Sequence, residues 1–171
     1  MQTDAINYED IPPERPVFLK VLCMLTFICS GWLIVTNTVT YFTANDISKI
    51  VVSAKEKMYE DINKNKSKNS TVKMFAEKMM NNMFVMYTTE NLRKNALGIL
   101  LGAVFCISGA VLMWKLKRIG YILYVAGTII GVATPFYVFG NNFIAVGTSG
   151  FTAFFGLLFV IFYAMNLSSM R

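Results

Sequence analysis

The sequence predicts an all-α polytopic membrane protein: four transmembrane helices, with an amphipathic helical hairpin inserted between helices 1 and 2. Three observations predict it. Two uncharged apolar segments, residues 96–114 and 119–139, are joined only by Lys115-Leu116-Lys117-Arg118. Each is about 20 residues long, enough to cross a hydrocarbon core as a helix, and so short a turn sets them side by side and antiparallel. Hydrophobic residues form 55% of the chain and charged residues 15%, against roughly a quarter charged in soluble domains. The apolar residues also gather in four blocks, which leaves room for one transmembrane domain and one polar insertion but no second globular unit.

The chain opens with an acidic, proline-containing head, residues 1–20. Pro12, Pro13 and Pro16 interrupt any regular helix before the membrane. An acidic head is wrong for a secretory signal, so the block at 17–42 reads as an uncleaved first span that ends at Tyr41 and Phe42. Asn37 and Thr40, with Thr36 and Thr38, are the most polar elements inside any span. They are the residues a conduit would use as its pathway, and otherwise they form a solvated or hydrogen-bonded helix end.

Residues 44–94 form the insertion. Ile47, Ile50, Val51, Ala54, Met58 and Ile62 recur at helical spacing, with Asn45 as an N-cap. A polar stretch rich in lysine and asparagine, 63–71, makes a turn. Val72, Phe75, Met79, Met83 and Met86 then form a second apolar stripe, spaced three, four, four and three. The two stripes face each other or lie on the membrane surface, and Phe75, Met79, Met83 and Met86 are the residues expected to contact a partner. Thioethers can bind Cu(I), but methionine also fills irregular packing between helices. The chain has no histidine, so packing is the better account and no metal or cofactor is expected.

The remaining spans carry small residues at regular intervals. Gly98, Gly102, Cys106 and Ala110 recur every four residues in the second span; Gly127 and Gly131 make a GxxxG in the third; Gly147, Gly150, Ala153 and Gly156 recur every three in the fourth, 143–165. In lipid, apolar side chains gain little by clustering, so small residues that let backbones approach are read as helix-packing positions. Pro135 kinks or ends the third span before a turn at residues 140–142. The chain after Met165 reads as a stub.

The net charge of +6 is read as orientation and contact with anionic headgroups rather than with nucleic acid. Six basic residues fall on the face of the termini and the 115–118 turn, and ten on the insertion side. Short basic turns are the harder segments to translocate, however, so both termini are placed in the cytoplasm of a bacterial inner membrane. Cys23, Cys29 and Cys106 all lie within spans and read as small packing residues. No Walker loop, HExxH, CxxC or GxSxG is present, and apart from Lys20, one turn inside the first block, no Asp, Glu, Lys or Arg lies inside a span, where proton-coupled or proteolytic chemistry would need one at depth.

A large loop between spans one and two gives the chain the topology of claudins, but residues 44–94 contain neither tryptophan nor cysteine, both of which that family's first loop carries. Tetraspanins place their large loop between spans three and four, where this chain has only Gly140-Asn141-Asn142. The run KLKRIGYILYVAGTIIGVATPFYVFG, with the Lys/Asn-rich loop, resembles uncharacterised small four-span membrane proteins of Bacteroidota. That resemblance carries no functional motif. The expected role is a non-catalytic subunit or accessory scaffold of a membrane complex, with lipid and other membrane subunits, or further copies of itself, as partners. The alternative is an oligomeric transporter or channel with an uncharged polar pathway between subunits; a membrane enzyme fits the residue inventory least.

Overall fold

The computed structural model describes residues 16–64, 70–140 and 143–170. Every regular element among them is helical: α1 Val17–Lys64, α2 Ser70–Met86, α3 Thr89–Trp114, α4 Ile119–Phe139 and α5 Phe143–Met165, followed by a 3₁₀ turn at Leu167–Ser169. Four of these, α1, α3, α4 and α5, contain stretches long and apolar enough to cross a membrane.

The first span and the helix after it are one element. α1 runs 48 residues without a break, about 72 Å at 1.5 Å per residue. Asn45, expected as a cap, is an exposed residue in the middle of this helix. From Trp32 to Lys64 the chain contains neither glycine nor proline. A mid-helix Asn costs only about 0.7 kcal/mol, too little to end a helix that packing holds on the membrane side. The helix therefore leaves the apolar region near Phe42 and continues for a further 22 residues, about 33 Å.

α2 meets the distal part of α1 where the Tyr59 hydroxyl donates to Asn81 Oδ1 at 2.7 Å and Lys55 Nζ stands 5.3 Å from the Phe84 ring centre. The turn at Tyr87 and Thr88 then starts α3, two turns earlier than the uncharged segment begins, so that Glu90 and Lys94 pair one turn apart at 2.6 Å on an exposed helix face. α3 is the central helix. It packs against α1 on one side and α4 on the other, and α5 lies against α4. α5 reaches α1 near its own C-terminal end, where the Phe18 and Phe162 rings meet edge-on at 5.6 Å.

That end holds the core. Leu19, Leu22 and Cys23 of α1, Met113 of α3, Tyr124 of α4 and Tyr163 of α5 are buried together with Leu116 and Met170. Met170 belongs to the segment read as a stub. Instead it is 1% exposed, and Arg118 Nε donates to its carbonyl at 2.7 Å. Pro135 does not end α4, which continues to Phe139; a proline one turn from a helix end removes a single backbone bond and leaves the rest of the ladder intact.

Candidate functional site

α3 and α4 approach through paired glycines. A Cβ built on Gly109 would lie 2.6 Å from Gly120 O and 2.7 Å from Tyr124 N, and one on Gly120 would lie 2.5 Å from Gly109 O. One built on Gly102 would meet Gly127 O at 3.0 Å and Gly131 N at 3.2 Å, and one on Gly127 would meet Gly102 O at 2.7 Å and Cys106 Sγ at 2.8 Å. These are backbone-to-backbone crossings that any side chain would wedge open. Gly98 is closed by the Thr134 side chain, and Gly156 by Thr128 Cγ2 at 2.5 Å.

The expected packing positions therefore divide. Gly98, Gly102, Cys106 and Gly127 lie at the α3–α4 contact and Gly156 at the α4–α5 contact. Ala110 serves a different neighbour: it is fully buried, and its carbonyl accepts from Cys23 Sγ of α1 at 3.7 Å. Gly147 and Gly150 have nothing within 4 Å of a built Cβ, nor does Gly131, although its backbone N faces Gly102; of the three glycines in the every-three pattern of α5, only Gly156 meets another helix at its built Cβ. Gly109 and Gly120, the tightest pair, stand outside the regular intervals. Their neighbours Ala110 and Tyr121 gave them no pattern, but Gly109 lies seven residues from Gly102 and Gly120 seven from Gly127, two helical turns that keep each pair on one face.

Beside the glycine crossing lies a polar cluster. Thr26 Oγ1 and Tyr163 Oη are 2.8 Å apart and buried. The Tyr124 and Tyr163 rings meet at 4.8 Å and 60°. The Tyr124 carbonyl accepts from Thr128 Oγ1 at 3.0 Å and lies 3.9 Å from Cys106 Sγ. The cluster joins α1, α3, α4 and α5, which makes it an interhelical tie. The signal available in the sequence was a tyrosine placed inside an apolar run rather than at its boundary.

Asn37 and Thr40 meet neither this cluster nor one another. Asn37 Nδ2 donates to Leu33 O at 2.8 Å and Thr40 Oγ1 to Thr36 O at 2.9 Å, both on their own helix. Thr36 and Thr43 bond the preceding turn in the same way. In hydrocarbon a polar side chain that bonds its own helix needs no partner helix.

The expected contact residues stand apart from the spans. Phe75 and Met79 of α2 are exposed and Met86 is half-buried, while Met83 lies on α2 with its side chain outside the described residues, as does the loop 65–69. Exposed Met74 joins Phe75 and Met79, and on the α1 extension Ile50, Val52 and Met58 are exposed as well. Met80 instead is buried, so the described methionine side chains of α2 do not share one environment. No group of three or more His, Cys, Asp or Glu gathers among the described residues.

Architecture and composition define a polytopic α-helical protein with four helices fitted to a membrane and two helical segments outside the apolar zone. Comparison with family models, with curated proteins and with solved structures gives no match for this chain.

Proposed function

We propose that this chain is a non-catalytic subunit or scaffold of a membrane complex, and that it binds its partner through the distal part of α1 together with α2, used as a helical hairpin. The observation that carries this reading is the apolar surface outside the spans. Ile50, Met58, Met74, Phe75 and Met79 are all at least 40% exposed. Side chains of this size on water-facing helices mark an interaction surface, and methionine suits a partner of irregular shape. In the sequence spacing Met83 and Met86 continue the same stripe. The self-bonded Asn37 and Thr40 favour this reading over a polar conduit between subunits. In the proposed arrangement both termini are cytoplasmic in a bacterial inner membrane, and the hairpin projects to the other side.

A photo-crosslinking residue at Phe75 or Met79 should capture a partner in native membranes, and one at Ile129 on the lipid-facing side of α4 should not. Replacing Phe75 and Met79 with serine should abolish co-purification while the spans stay inserted, since spanning helices satisfy their backbone bonds internally. A homo-oligomer that supports flux when reconstituted alone, with no crosslink at position 75 or 79, would overturn the reading.

A further inference from the structure

The helix ends that surround the buried core also carry a cluster of positive charge. Lys20, Lys115, Lys117 and Arg118 are all exposed, and Leu19, Leu116 and Met170 of the common core fix them to the same end of the bundle. Among the described residues, every Asp and Glu lies on the distal part of α1, on α2 or in the first turn of α3, at the opposite end.

The 115–118 turn is held rigidly. Leu116 has φ 60°, and its N–H bonds Met113 O at 2.9 Å while that of Lys117 bonds Leu112 O at 2.9 Å. These are the two bonds of a Schellman cap, with leucine where glycine is usual. Leu116 is 9% exposed within the core, so the side chain that would prefer another backbone conformation is held by burial. Its inward direction leaves Lys115 and Lys117 outward. Arg118 donates from Nε to Met170 O, and a guanidinium carries four further N–H donors.

Large apolar side chains border these cations. Val17 and Phe18 of α1, Ile119 and Ile122 of α4, and Met165 of α5 are exposed. A ligand that matches both features has an anionic head and hydrocarbon tails; an acidic peptide or a free anion matches only the cations. We propose that this end of the bundle is a binding site for the phosphate headgroup of an anionic phospholipid, with the acyl chains along α4 and α5.

The test uses full-length protein in a non-ionic detergent, with retained lipid counted by native mass spectrometry after addition of phosphatidylglycerol or phosphatidylcholine. Phosphatidylglycerol should be retained in preference. The Lys115→Gln/Lys117→Gln variant should lose affinity about fivefold per lysine, whereas Lys49→Gln/Lys57→Gln, the same change of charge on the α1 extension, should bind as wild type. Equal retention of phosphatidylcholine, or wild-type retention in the 115/117 variant, would overturn the proposal. So would full displacement by equimolar inorganic phosphate, which would mark a free-anion site. Retention that begins only after residues 1–14 are removed would make Asp4, Glu9, Asp10 and Glu14 the occupant instead, and the proposal would fail.

Discussion

Gly109→Ala should be among the most damaging single-methyl changes in this protein, and Gly150→Ala among the most benign. At Gly109 the new methyl carbon would sit 2.6 Å from Gly120 O and 2.7 Å from Tyr124 N. Ordinary contact is about 3.4 Å, so the crossing must open by about 0.8 Å, and the opposing atoms are backbone that cannot rotate away. Overpacking of this kind costs about 3 kcal/mol at the upper end of its range. The helix propensity gained in replacing glycine offsets about 1 kcal/mol, leaving a net loss of about 2 kcal/mol. At Gly150 nothing lies within 4 Å, and only the gain of about 1 kcal/mol remains. The two variants should differ by about 3 kcal/mol, or about 6–12 °C in melting temperature for a chain of this size. The assay is thermal exposure of the buried Cys23 thiol to a fluorogenic maleimide, in mild detergent and in a Cys29→Ser background. Combining Gly109→Ala with Gly120→Ala should cost less than the sum of the two, because the first change already parts the helices. Melting temperatures within a degree of each other for Gly109→Ala and Gly150→Ala would refute the packing argument.

Tyr163→Phe should lower the melting temperature by a few degrees, since an interhelical hydrogen bond in a membrane protein contributes about 0.6–1.7 kcal/mol; the double variant with Thr26→Val should be no worse than either single change, because both remove the same 2.8 Å contact. Leu116→Gly should relieve a left-handed backbone by about 1 kcal/mol yet lose about 2–3 kcal/mol of side-chain burial, so thermal melting should show net destabilisation, while an increase in stability would mean that the turn rather than the core dictates Leu116. For topology, a cysteine at Lys57 should react with an impermeant maleimide on intact cells and one at Lys117 should not, both side chains being exposed; the reverse pattern would invert the proposed orientation. Position 117 is the proper reporter on that face, because its neighbour Leu116 is buried.

Much of the architecture was legible because hydrocarbon imposes a simple rule. A chain crossing it must satisfy each backbone polar group internally, so an uncharged block of about 20 residues has little choice but helix. Hence α4 is helical over Ile119–Phe139, and the basic turn joins it to α3. Outside the apolar zone that rule lapses, and local signals compete on nearly equal terms. Asn45 offered a cap that cost little to ignore, and α1 ran through it.

What the sequence determined by itself was the class of helix and the number of apolar blocks, because both depend on composition along a single strand of chain. Which small residues touch was decided only in three dimensions. Periodicity marks the faces on which helices are able to approach, but the rotation of each helix follows from everything packed around it. So Gly102 and Gly127 meet, Gly109 and Gly120 meet closer still, and Gly150 faces open space. The tie between Thr26 and Tyr163, 137 residues apart, and the burial of Met170 beneath Arg118 belong to the same category. Each depends on two helix ends being brought together by a core neither segment encodes alone.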